Sequence, residues 1–126
     1  KFVKKNTNAH LFKTLGGIKF LSCLKISDAI IGNSSSGILE MPSFKNATIN
    51  VGNRQRGRIK AKSIIDVEPK SSAINKAVKF IYSKKFRLIK SKSFNPYYKK
   101  STAKKIVKIV NTMNLKKVKI KTFYNL

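Results

Sequence analysis

Apolar positions along the chain recur at two spacings, and their alternation predicts an α/β fold. Ala9 to Phe12 reads as a short strand, broken by Gly16-Gly17. Ile18, Leu21, Cys23 and Leu24 then fall near helical spacing and predict a helix from about Gly17 to Ile26, ended by Ser27-Asp28. Ala29-Ile30-Ile31 is short, wholly apolar and partly β-branched, the composition of a strand buried on both faces. Six small or polar residues, Gly32 to Gly37, punctuate the chain, and Ile38 to Met41 open a short helix that tolerates Pro42 in its first turn. Ala47 to Val51 is a second strand, closed by Gly52. The stretch from Ile31 to Ala47 is about the shortest that a βαβ crossover allows, so these two strands are expected to be parallel neighbours. Ser63 to Val67 is a further strand.

Two helices follow. Ser71 or Ser72 caps one with Ile74, Ala77, Val78 and Ile81 on a single face. Ser101 caps another with Ala103, Ile106, Val107, Val110 and Met113 aligned. Asn95 to Tyr98 reads as a turn between them. The expected organisation is one Rossmann-like α/β domain over residues 1–113, a parallel sheet with flanking helices, and a basic tail over residues 114–126.

Composition narrows the function classes. With 126 residues, 41% of them hydrophobic and 10% aromatic, the chain is long and apolar enough for a real core and unlike a disordered tail. Cys23 and His10 are single, so neither an internal disulfide nor a multi-cysteine metal site is expected, and no cofactor is called for. A reducing cytoplasm is the expected compartment. No apolar run approaches the ~20 residues of a membrane span, so no membrane partner is expected. The chain opens on Lys1 rather than Met and is read as a piece of a longer polypeptide.

The formal net charge of +25 admits two explanations. One is a basic module that binds nucleic acid or another polyanion. The other is a codon bias towards A and T, because the charge is almost all lysine, spread along the chain with abundant Asn and Ile. Only Arg54, Arg56, Arg58 and Arg87 supply the forked donors that nucleic-acid readers favour. The charge by itself identifies no partner.

In an open parallel sheet, ligands sit beyond the carboxyl ends of the strands. Two loops there carry unusual residues. Gly32-Asn33-Ser34-Ser35-Ser36-Gly37 combines close-approach glycines and hydroxyls with the N-terminus of a following helix, the makings of a phosphate cradle. It is neither a Walker motif nor a GxGxxG fingerprint. Glu40, in the first turn of that helix, either answers the helix dipole or accepts hydrogen bonds from sugar hydroxyls. The second loop, Gly52 to Arg58, holds three of the four arginines, so it is either a solvated basic turn or a phosphate fork beside the cradle. Phe20 and Cys23 read as core residues, with base stacking the other option for Phe20. Lone His10 reads as structural. Four carboxylates and one histidine are a thin set for acid–base chemistry.

The run Asp28-Ala-Ile-Ile-Gly-Asn-Ser-Ser-Ser-Gly-Ile-Leu-Glu40, then Thr48-Ile-Asn-Val-Gly52, then Arg54-Gln55-x-Gly57-Arg58 closely resembles the hydrolysing UDP-N-acetylglucosamine 2-epimerases of the sialic and nonulosonic acid pathways. The resemblance is strong from Leu15 to Pro69 and looser through Asn95-Pro96-Tyr97 and the last helix. It implies the C-terminal, UDP-holding half of a glycosyltransferase-B-like enzyme whose site lies between two Rossmann-like halves. It assigns the diphosphate to Ser34 and Ser35, the ribose hydroxyls to Glu40, the diphosphate region to Arg54 and the uracil side to Phe20, with Gly37 in the cradle. The implied partner is a UDP-sugar, with a homo-oligomer in the complete enzyme and no nucleic acid. The implied reaction eliminates UDP and hydrates the resulting glycal to the free 2-epimer. The family's acid and base residues lie upstream, so no catalytic residue is assigned and this segment is expected to be inactive alone. Where the family has a Gly-x-Gly turn after Asn95-Pro96-Tyr97, this chain has Tyr98-Lys99-Lys100. A glycosyltransferase half and a nucleic-acid module are the alternative readings.

Overall fold

A parallel three-stranded sheet organises the computed structural model, which describes residues 1–114. Strands β1 (Ala29–Gly32), β2 (Ala47–Val51) and β3 (Ile64–Val67) lie in that order. Their register pairs Ala29 with Ala47, Ile31 with Ile49, and Val51 with Val67. Around them run α1 (Phe2–Lys5), α2 (Gly16–Ile26), α3 (Ser36–Leu39), a 3-10 turn at Met41–Phe44, α4 (Ser71–Ile81), α5 (Lys84–Ser91) and α6 (Thr102–Thr112). The Rossmann-like expectation holds.

The strand period of two sorts side chains to two layers. Ala47 and Ile49 of β2 pack with Ala77 and Ile81 of α4 and with Phe86 of α5, and Ala29, Ile65 and Val67 border that cluster. Phe86 is 1% exposed and meets Phe80 edge-on at 5.4 Å between ring centroids. Burying such a ring is worth about 1.5–3 kcal/mol. On the opposite face, α3 and the 3-10 turn lie over β2, burying Ile38, Met41 and Pro42. Leu24 is the one residue of α2 that is fully buried.

Several local expectations are corrected. Residues 9–12 form no strand, because no described strand lies alongside to take up their hydrogen bonds. β1 is not buried on both faces. It is an edge strand whose Ile31 is 51% exposed, because the α4–α5 layer centres on β2. Cys23 is exposed rather than core. Ser71 is the first residue of α4 rather than its cap, and Lys70 occupies the cap position with no side-chain bond. Ser101 does precede α6, but its φ of 60° is left-handed and it makes no cap bond, since side-chain capping requires extended backbone there. Pro42 falls in the 3-10 turn, not in the first turn of α3.

The Asn95–Tyr98 turn is present: the Tyr98 N–H donates to the Asn95 carbonyl at 3.1 Å, and the Tyr97 N–H to Asn95 Oδ1 at 2.9 Å. The positive φ falls on Ser101 and on none of Tyr98, Lys99 and Lys100. Helices α1 and α5 carry no expectation from the periodicity. Ser83 caps α5 by accepting the Phe86 N–H. The aligned side chains of α6 are exposed, Ile106 at 55%, Val107 at 57% and Val110 at 50%. Most of the expected basic tail, residues 115–126, lies outside the described residues. Among those described, no helix is long and apolar enough to cross a membrane.

Candidate functional site

Because the three strands are parallel, the loops that leave them emerge on one edge of the sheet. The loop after β1 turns into α3 through Ser34. The Ser34 Oγ accepts the Ser36 N–H at 3.3 Å, and the Ser34 carbonyl accepts the Gly37 N–H at 3.2 Å. The first N–H groups of the short helix are thus met, by long bonds, within the loop itself. Ser35 is half-buried at the cap position of α3 and forms no cap bond. Ser34 is exposed. It lines a cavity of about 230 Å³ with Ile30, Gly32, Gly37 and Thr48. It also lines an open cleft of about 680 Å³ with Phe20, His10, Thr14, Gly17 and Ser36.

That cleft decides the place of Phe20. Half-buried on α2 and outside the core cluster, the ring forms a wall facing the serine loop. His10 is exposed on the same cleft rather than packed as a structural histidine. Neither Glu40 nor Arg54 lines it.

Gly37 has a packing task. A Cβ there would lie 2.7 Å from Thr48 Cγ2, and the Thr48 hydroxyl donates to the Gly37 carbonyl at 2.7 Å. Only a residue without a side chain lets α3 settle this closely on β2.

Glu40 is at the end of α3, not in its first turn, and its N–H closes the helix on the Ser36 carbonyl. The favourable N-terminal dipole expected for its carboxylate on α3 is therefore absent. Its Oε2 is buried with no hydrogen-bond partner. The other three carboxylates each have a donor. Asp28 accepts from the Tyr82 hydroxyl at 3.2 Å, Asp66 from Lys60 and Asn50, and Glu68 pairs with Lys70 at 2.7 Å. Partial burial pushes the Asp66 carboxyl up, but the hydrogen bonds of Lys60 and Asn50 and the Lys60 charge outweigh it and hold the group below its ordinary value. The Asp28 carboxylate, by hydrogen bond and charge, raises the Tyr82 hydroxyl.

The second loop leaves β2 through Gly52, whose φ of 80° turns the chain sharply. Arg54, Arg56 and Arg58 are all exposed on it. Gln55, between them, is 3% exposed, and its Nε2 donates to the Asn33 carbonyl at 2.8 Å. This bond fastens the arginine loop to the serine loop. Gln55 Oε1 is buried without a partner. The motif contains Gln55, but nothing in its local pattern marks it as the joint; an amide between exposed arginines in a turn gives no periodic signal. The structure therefore brings Ser34 to Phe20, and the Arg54 loop to the serine loop, while Glu40, at the C-terminal end of α3, lines neither the cleft nor the smaller cavity beside Ser34.

Comparison with known proteins adds a separate finding. A family model described as UDP-N-acetylglucosamine 2-epimerase matches residues 1–111. The chain is similar to the polysialic acid biosynthesis protein P7 of Escherichia coli, with 40% identity over 108 residues, 85% of this chain and 28% of that protein. It is 46% identical over 87 residues to a GDP/UDP-N,N'-diacetylbacillosamine 2-epimerase (hydrolyzing) of Campylobacter jejuni, 68% of this chain and 22% of the relative. A UDP-N,N'-diacetylbacillosamine 2-epimerase (hydrolyzing) of Legionella pneumophila is 42% identical over 67 residues, 53% of this chain and 18% of that protein. The chain spans less than a third of the length of these curated relatives.

Proposed function

The chain belongs to the UDP-N-acetylglucosamine 2-epimerase family, and from that premise we propose that it is the UDP-holding, C-terminal portion of a hydrolysing enzyme of this kind. The substrate is UDP-N-acetylglucosamine or a related UDP-HexNAc. The proton leaves C2 and UDP leaves C1 to give a glycal; water then adds across the double bond, and the products are UDP and the free 2-epimer. Residues 1–113 form the UDP-binding domain of this reading.

The observation that carries it is the junction of two loops at the carboxyl ends of adjacent parallel strands, one with hydroxyls and one with arginines, fastened by Gln55 and Asn33. Ser34 and Ser35 hold the diphosphate, and Arg54 supplies forked donors to its oxygens. As the C1–O bond breaks, charge builds on the leaving UDP, and donors fixed in place beforehand stabilise it. Phe20 flanks the uracil. Glu40 accepts from the ribose hydroxyls, the role the family resemblance gives it, and Gly37 keeps the loop seated on β2. The family resemblance assigns the acid and base that move the C2 proton to residues upstream of this segment, and none of the residues present takes that role in this reading.

Calorimetric titration of UDP into the full polypeptide that carries this segment tests the reading. Saturable binding is expected, weakened about tenfold or more by Arg54→Ala, the scale of a charge-assisted contact. A folded protein that binds no UDP, but binds duplex nucleic acid with steep salt dependence, would overturn it in favour of the basic-module reading.

A further inference from the structure

We infer that Gln55 is a positioning residue: it makes the serine loop and the arginine loop a single diphosphate-binding unit. This inference rests on the UDP reading above. Gln55 is 3% exposed in a turn whose arginines are exposed, so its side chain alone of that segment is driven into the protein. The contact it makes there crosses 22 residues of sequence, from Nε2 to the Asn33 carbonyl at 2.8 Å. Asn33 immediately precedes Ser34, and Arg54 immediately precedes Gln55. One hydrogen bond therefore ties the backbone next to Ser34 to the residue next to Arg54, the two side chains that would share a diphosphate.

Stability does not explain the choice of glutamine. Its Oε1 is buried with no donor, so the residue brings a desolvated acceptor into the interior along with the useful donor. An unbranched apolar side chain of similar volume fills the same space without that penalty. What only the amide supplies is the directed bond to Asn33, and so the register between the loops.

The proposal separates two quantities that a merely structural residue moves together. In the full polypeptide, Gln55→Met is expected to leave the melting temperature unchanged or raised while weakening UDP about tenfold. If Gln55 acts through the arginine loop, the double variant Arg54→Ala with Gln55→Met loses little more UDP affinity than Arg54→Ala alone. Gln55→Glu, which turns a carboxylate oxygen on the Asn33 carbonyl, is expected to weaken UDP further than Gln55→Met. Parallel losses of melting temperature and affinity in Gln55→Met would overturn the inference and make the residue structural. Unchanged UDP affinity, or fully additive losses in the double variant, would also overturn it. A parent protein that binds no UDP would remove the underlying nucleotide reading itself, a result distinct from either.

Discussion

Thr48 and Gly37 hold α3 on the sheet through two contacts at the same spot. The Thr48 hydroxyl donates to the Gly37 carbonyl at 2.7 Å, and the Thr48 methyl occupies the place a Cβ on residue 37 would need. The serine loop reaches its position through this seat, since Ser34 and Gly37 are also joined by a backbone bond.

Gly37→Ala is therefore expected to destabilise the fold by about 1–3 kcal/mol, the range of overpacking in a filled interior. Adding Thr48→Ser removes the obstructing methyl and keeps the hydroxyl, so the double variant should recover most of the loss. Urea midpoints of the parent, the two single variants and the double variant check this.

Glu40→Gln tests the unpartnered carboxylate oxygen. Melting should be unaffected or rise slightly, because a neutral amide is less costly to desolvate than a carboxylate. UDP affinity should fall about ten- to a hundredfold, the worth of hydrogen bonds to a charged acceptor. If Glu40 accepts from the ribose, the variant should lose the parent's preference for UDP over its 2',3'-dideoxy analogue.

Acid stability should follow Asp66. Its carboxyl is held below the ordinary value in the folded chain, so its contribution is complete above the unfolded-state pKa of about 4 and disappears as pH falls through the folded one. Asp66→Asn should lower the denaturation midpoint near neutral pH and flatten its decline towards acid. Lys60→Met, which removes both the donor and the charge, should raise the Asp66 pKa, read by the carboxyl carbon shift in an NMR titration.

The Tyr82–Asp28 contact acts at the alkaline end. The hydroxyl is raised in the folded chain, so the stabilisation is present below the unfolded tyrosine value and is lost as pH rises through the folded one. Tyr82→Phe should remove this part of the alkaline decline in stability, and the phenolate absorbance titration should lose a component displaced above the ordinary tyrosine value.

On α6, Ile106 and Val110 are at least half exposed, so little packing depends on them in the described residues. Ile106→Gln combined with Val110→Gln should leave the melting of this segment within about 0.5 kcal/mol of the parent, as for surface positions elsewhere. Fluorescence of a dye that reports exposed apolar surface should fall.

By itself the sequence determined the elements whose signal is local. The β-branched runs of β1, β2 and β3 and the i, i+3, i+4, i+7 spacing of α4 are visible in single windows, and the crossover length from Ile31 to Ala47 sets parallel pairing. The Gly32–Gly37 and Gly52–Arg58 loops stand out in composition for the same reason. Tertiary structure decided everything that depends on a distant neighbour. Ala9, Leu11 and Phe12 are apolar but have no described strand beside them, and Ile31 is exposed because β1 lies at the edge of the described sheet. Gln55 looks like any polar turn residue until its buried side chain donates to the Asn33 carbonyl, 22 positions earlier. Burial and long-range partnership depend on both members of a pair, and no short window of the chain holds both Gln55 and Asn33.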